Sequence, residues 1–389
     1  MGPCLPMGLQ VRIPFFFEWI VEFRRSSLYN CQFMFVLIPP HCLAGTGKSH
    51  SLFGTDEQPG AIALAAHYLL SNVSSKNDDN DNTNDDASTT LLVLRVSSYE
   101  VDGKTCRDLL GNHEPLTVRI DEHGMAQLRH VDGSGPLTRQ VVSTTDEFQS
   151  LQSTLQTSRR VGRSTVHDAS SRTHAIVDFE IVDANVIRLE QTIEEKHAAY
   201  IAISNAKDDA LMVQIEEAYK RDGAGAVVNG VPLGDLVRQH GLPSEEALQA
   251  LRDARTALTE YIQQSSHKAL LGSFSFIDMA GNDWEQATTM QTSQAKKEHA
   301  EINTSLLAVK ECFRAMQQQK THVPYRRSHL TKILKRHLDS HSSNCVMLTT
   351  IYPSCGSSND NGDDKEVRLK QTMNTLLYAS SIATRSKVR

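Results

Sequence analysis

The chain has 389 residues, 39% of them hydrophobic and 22% charged, with a formal net charge of −6. That balance belongs to a soluble globular protein with room for one large or two medium domains. It argues against general nucleic-acid binding but leaves space for a local basic face. The seven cysteines, at 4, 31, 42, 106, 312, 345 and 355, show no metal-like pairing and fit a reducing cytoplasm.

Residues 1–43 crowd aromatics and prolines without helix or strand periodicity, and read as an atypical, mis-joined N-terminal segment. Their apolar runs, Phe15–Phe17 and Phe33–Ile38, fall far short of the roughly 20 residues a membrane helix needs. Ala61 to Leu70 reads as helix. The Asn-, Asp- and Ser-rich run 74–90 reads as a disordered acidic loop. Strands follow at Leu91–Glu100, Leu116–Ile120 and Ala126–Val131. A helix capped by Ser, Thr and Asp covers Glu147 to Arg160. Further strands are read at Ala175–Val182 and Gly272–Ile277. Between them, Ile187–Tyr219 and a face of Leu248, Leu251, Leu258 and Tyr261 predict a helical insertion over about 184–268. Lys296–Gln318 forms a helix with Ile302, Leu306, Val309 and Phe313 on one face. A short basic helix, Ser328–Leu338, a strand, Val346–Tyr352, and a closing helix, Thr372–Ala383, complete the chain. Strands alternating with helices predict an α/β fold around a central, mostly parallel or mixed sheet with helices on both faces.

Chemistry concentrates in three places. Gly45-Thr46-Gly47-Lys48-Ser49 has the composition of a phosphate-binding loop. Glycines let backbone N–H groups turn toward phosphate oxygens, Lys48 reaches the outer phosphates, and the Ser49 hydroxyl suits Mg²⁺. Cys42 stands where the full pattern has glycine, and Ile38-Pro39-Pro40-His41 is poor material for the strand that should precede the loop. Asp278 follows an apolar strand, where a metal-facing carboxylate belongs, and Gly281 beside it offers a backbone N–H to a γ-phosphate. Ser170 and Ser171 offer hydroxyls for metal and water, and Arg172 can pair with Asp283.

Taken in order, these segments resemble a kinesin motor domain. Cys42–Ser49 is similar to its phosphate loop, His167–His174 to its first switch, N-x-x-S-S-R-S-H, and Asp278–Asp283 to its second, D-L-A-G-x-E. Ile302–Val309 resembles I-N-K-S-L-L-A-L, Val323–Leu334 matches V-P-Y-R-x-S-x-L-T-x-x-L, and Thr375–Ala383 is similar to the closing T-L-x-x-A-x-x-A. The stretch Ala300–Ala315 looks most like the internal-motor, microtubule-depolymerising (kinesin-thirteen) group. The resemblance implies a kinesin-type P-loop NTPase spanning 44–389. It implies ATP and Mg held by Gly45, Thr46, Gly47, Lys48, Ser49 and His50, with Ser49, Ser171 and Asp278 around the metal. Ser170, Ser171, Arg172, Asp278, Gly281 and Asp283 would carry catalysis, with microtubules as partner and the cytoskeleton as location.

A basic stretch supports such a partner on its own. Arg314, Lys320, Arg326, Arg327, Lys332, Lys335 and Arg336 lie between Cys312 and Leu338 with no acid among them, and Lys310 just precedes them. Few aromatics interleave these cations, which disfavours nucleic acid. Against the family pattern, His167 replaces Asn, Asp283 replaces Glu and Thr304 replaces Lys. Only about 43 residues precede the loop, where the family has several strands, an R-x-R-P motif and, in the depolymerising group, a K-V-D loop. No coiled-coil stalk is read after the domain, so dimerisation has no visible basis. The alternative is a degenerate module that holds tubulin without ATP turnover.

Overall fold

The computed structural model describes residues 33–38, 48–55, 58–81, 91–121, 124–161, 173–222, 227–228, 231–232, 245–265, 272–280, 293–338 and 343–348, with short helical pieces at 369–370, 372–373 and 376–377. Two compact units are distinguished, one within 1–85, 92–181 and 269–389, the other within 86–91 and 182–268.

The first unit is built on a sheet. Its strands are β1 (Phe33–Ile38), β2 (Leu92–Asp102), β3 (Thr105–Asp108), β4 (Pro115–Ile120), β5 (Ala126–His130), β6 (Gln140–Val142), β7 (His174–Asp183), β10 (Gly272–Asp278) and β11 (Ser343–Met347). The order is β11-β1-β10-β7-β2-β3-β4-β5, with β6 also on β2. β1 runs parallel to both β10 and β11. β10–β7, β2–β3, β2–β6, β3–β4 and β4–β5 are antiparallel, so the sheet is mixed and the mostly parallel reading does not hold. Tight turns such as Asp102-Gly103, where Gly103 has φ +53°, join neighbouring strands directly and leave no room for crossover helices.

The largest departure from the sequence reading lies at β1. The six-residue run Phe33–Ile38 is a strand hydrogen-bonded on both sides, inside the segment that shows no periodicity. A strand paired in parallel on both edges reads as a continuous apolar run rather than an alternating one.

Helices α1 (Lys48–Phe53), α2 (Ala61–Asp81) and α3 (Thr145–Val161) pack on one side of the sheet. There Phe148, Phe179 and Phe276 stack edge-on, with centroids 5.7 Å apart in each pair. Burying each ring contributes about 1.5–3 kcal/mol. A capping box starts α3: Glu147 N–H donates to Thr144 Oγ1 at 3.2 Å, and Ser143 N–H to Glu147 Oε2 at 2.7 Å. α2 runs past Leu70 to Asp81, so the start of the polar run 74–90 is helix. Asn77 explains the extension: its side-chain amide clasps the Leu92 backbone at 3.0 and 3.1 Å where β2 begins. Residues 82–90 lie outside the described residues.

On the other side lie α6 (Ser293–Gln317) and α7 (His329–Leu338). The predicted face of α6 is the observed one: Ile302, Leu306, Val309 and Phe313 are buried with Ile176, Ile277 and Leu330. Pro324 separates the two helices, and Ser328 and Thr331 cap α7 reciprocally at 3.0 Å. The strand predicted at Val346–Tyr352 begins earlier, at Ser343. Most of the closing helix predicted at Thr372–Ala383 lies outside the described residues.

In the second unit, α4 (Ala184–Asp222) and α5 (Glu245–Gln264) pack together beside a two-residue ribbon, β8 (Val227–Val228) with β9 (Val231–Pro232). Tyr261 O–H donates to Asp183 Oδ2 at 2.8 Å and accepts from Asn185 Nδ2 at 3.1 Å, fixing the register of the helix pair.

His337 is buried on α7. Desolvation, and then the Arg336 charge, hold it well below its ordinary value of 6.5. The unfolded chain takes up a proton below about pH 6.5 that the folded protein refuses, so stability falls as pH drops through that value, by up to about 1.4 kcal/mol per pH unit. Urea midpoints at about pH 7 and about pH 5.5 should show a smaller drop for His337→Leu than for the unmodified protein.

Candidate nucleotide site

The register Ile38↔Asp278 puts the C-terminal ends of parallel strands β1 and β10 side by side. The chain leaves β1 there and re-enters described structure at Lys48, the first residue of α1. This is the strand-then-helix setting a phosphate loop requires. Gly45, Thr46 and Gly47 lie outside the described residues. Gly54 closes α1 at φ +72°, its N–H on His50 O at 2.8 Å; a Cβ there would stand 2.2 Å from Gly60 N, so only glycine fits.

Ser49 Oγ donates to Asp278 Oδ2 at 2.6 Å. The two sequence-derived metal candidates, 229 residues apart, are therefore brought into contact. The same Oδ2 accepts from Arg159 of α3 at 3.0 Å, with only 9% and 4% of the two side chains exposed. The Arg159 guanidinium also lies over the Phe53 ring, 4.5 Å from its centroid. A hydroxyl beside a carboxylate is the oxygen set a small hard cation takes, so these residues fit Mg²⁺. His50 is exposed on α1.

Sequence reasoning missed Arg159. Its signal was a cation one turn beyond Leu151 and Leu155, on the buried face of α3. Ser170, Ser171 and Arg172, like Gly281 and Asp283, lie outside the described residues. Their flanks do meet: Ala280 N–H donates to His174 Nδ1 at 3.1 Å.

The basic stretch divides in two. Arg314, Lys320, Arg326 and Arg327 are exposed, and Arg327 pairs with Glu311. Lys310 and Lys332 are half-buried, and desolvation, then Arg314, lowers Lys310 below the usual lysine value. Lys335 and Arg336 do not belong with the exposed cations. Lys335 Nζ donates to Gly124 O at 3.0 Å, bracing the β4–β5 turn. Arg336 turns inward with its Nε sealed from solvent. It opposes the effect of burial on Asp178, whose carboxyl still sits above its usual value and bonds to Ser275 and Tyr99. Burial would also raise Glu180, but Arg139, Arg95 and Arg336 together outweigh it. A charge surrounded by protein is cheaper paired than free, and that draws α7's last arginine to the sheet.

The kinesin family profile, described as "Kinesin motor domain", matches residues 41–202 and 255–384. The chain belongs to the kinesin motor-domain family. The unmatched stretch 203–254 lies within the second unit. Kinesin-like protein KIN-13B of Arabidopsis thaliana is 33% identical over 189 residues, covering 47% of this chain and 25% of the relative. KIN-8A of Oryza sativa subsp. japonica is 26% identical over 335 residues, 86% of this chain and 30% of its own length. Human KIF24 is 25% identical over 343 residues, 87% of this chain and 17% of KIF24. The chain thus spans less than a third of these relatives. Among solved structures, a KIF14 motor with ADP in complex with a microtubule superposes with TM-score 0.56 at 20% identity, covering 98% of this chain and 80% of that one. A fast kinesin gives TM-score 0.57 at 19% identity, covering 94% and 74%. At such identities the likeness speaks for the fold alone, that of a kinesin motor domain.

Removing Arg159 leaves a buried carboxylate short of a partner. Arg159→Met should lower unfolding free energy by about 3 kcal/mol in urea titrations. Combining it with Asp278→Asn should cost less than the sum of the two single changes.

Proposed function

We propose that this chain is an ATP-hydrolysing, microtubule-binding motor domain. The observation that carries the reading is the Ser49–Asp278 contact between the start of α1 and the end of β10. Lys48 and Ser49 hold the phosphates and metal. Ser171 and Asp278 complete the metal's surroundings, where Mg²⁺ supplies charge stabilisation for phosphoryl transfer. Ser170 and Gly281 position water and γ-phosphate, and Arg172 closes the site by pairing with Asp283. Arg314, Lys320 and Arg326 on the exposed side of α6 and the turn beyond it supply a cationic surface for acidic tubulin.

The finer reading, a microtubule depolymeriser, rests on the Ala300–Ala315 pattern and on the 33% identity to KIN-13B. The placement on the cytoskeleton follows from the same proposal; among the described residues no helix is long and apolar enough to cross a membrane. A second reading, tubulin binding without turnover, is favoured by Cys42 in the phosphate loop and His167 in the first switch.

Phosphate release by the purified protein should rise when microtubules are added and vanish in Lys48→Ala. Stimulation absent from a folded protein contradicts the motor reading, and microtubule binding without release supports the second. Arg326→Glu should weaken microtubule co-sedimentation by several-fold at about 25 mM salt and by much less at about 200 mM, since exposed charges are screened. Arg336→Ala should instead lower the melting temperature, because its charge faces the protein interior.

A further inference from the structure

A second buried contact links the nucleotide edge to the opposite side of the sheet. His174, the first residue of β7, is fully buried, with Ala280 at 1% exposure and Ser305 of α6 at 2%. Ala280 N–H donates to Nδ1 at 3.1 Å, and Nε2 lies 2.9 Å from Ser305 Oγ. Ser305 Oγ itself lies 2.7 Å from Ile302 O, which can only accept. The hydroxyl proton is therefore committed to that carbonyl, and Oγ must accept from His174 Nε2–H. These bonds favour the tautomer with the proton on Nε2 and orient the ring between Ala280 and Ser305.

We propose that His174 is a positioning residue that ties the nucleotide edge of the sheet to α6. The inference rests on the motor reading above and adds the physical link within it. Ala280 lies two residues beyond Asp278 and adjoins Gly281; His174 lies two residues beyond Arg172. Movement of either segment as nucleotide changes must displace the imidazole or break one of its bonds. A broken bond at this depth leaves a polar group without water to replace it, so the ring and α6 move together. Further along α6, Lys310 and Arg314 carry that movement to the basic surface. Sequence spacing hides the link, since His174 and Ser305 are 131 residues apart.

Ser305→Ala tests the tie because it removes the α6 arm and keeps the Ala280 arm. Basal ATP hydrolysis and the half-saturating microtubule concentration should stay within about twofold, while maximal stimulation falls at least about fivefold. Ser305→Thr, which keeps the hydroxyl, should regain most of the stimulation. A purely structural serine would instead lower the melting temperature and leave the stimulation ratio intact, which would overturn the proposal. Hydrogen exchange separates this inference from the motor reading. An ATP analogue should slow exchange of α6 amides in the unmodified protein and not in Ser305→Ala. Equal slowing in both overturns the tie while leaving the motor reading standing. ATP turnover without microtubule stimulation in the unmodified protein overturns the motor reading, and the exchange result then decides the tie alone.

Discussion

One carboxylate oxygen, Oδ2 of Asp278, is shared by Ser49 of α1 and Arg159 of α3 at the end of a central strand. A buried carboxylate is costly unless its charge is met by hydrogen bonds and an opposite charge, and here both arrive at one atom. To bring them there, β10 must end level with β1, α1 must start where the loop from β1 lands, and α3 must point a cation back at the sheet. The order of strands and the packing of α1–α3 serve those three requirements. The Phe148–Phe179–Phe276 stack supplies the apolar stabilisation that offsets the cost of burying the charges.

The opposite side of the sheet follows the same logic with different residues. Asp178, Glu180 and Tyr99 face α7, and Arg336 answers them, while Arg95 reaches Glu180 at 2.7 Å. Alternate residues of β7 therefore serve two layers, Phe179 in the aromatic stack and Asp178 and Glu180 in the charge cluster. α7 spends its last two cations on holding its place, and this leaves the outward cations of α6 and the turn after it as the exposed basic set. Position along the sequence cannot separate these two kinds of cation. Burial does.

What could be read in advance was what local pattern encodes. The 3.6-residue period of α6 marked its buried face, and the Ser-Thr-Asp cap marked the start of α3. Ser49 and Asp278 were each legible as metal candidates because each belongs to a motif with its own spacing, but their mutual contact comes from the fold. β1 was not legible: a short apolar run between aromatics and prolines carries no alternation, and its partners β10 and β11 lie far along the chain. The sheet's sense was left open between mostly parallel and mixed, since alternation of helices and strands says little about hairpin-joined strands, and the mixed form is the one found. Arg159, His174 and Ser305 act through contacts spanning more than a hundred residues, so no window on the sequence could assemble them. The helix through Asp81 was hidden because Asn77, a residue typical of loops, is held by the backbone of β2.

The central claim is that Ser49 and Asp278 form the metal-binding half of a nucleotide site. Calorimetric titration of the whole chain with a non-hydrolysable ATP analogue, with and without Mg²⁺, addresses it directly. The account predicts that affinity tightens at least about tenfold with the metal, roughly 1.4 kcal/mol. Binding that is absent, or identical with and without Mg²⁺, would contradict it.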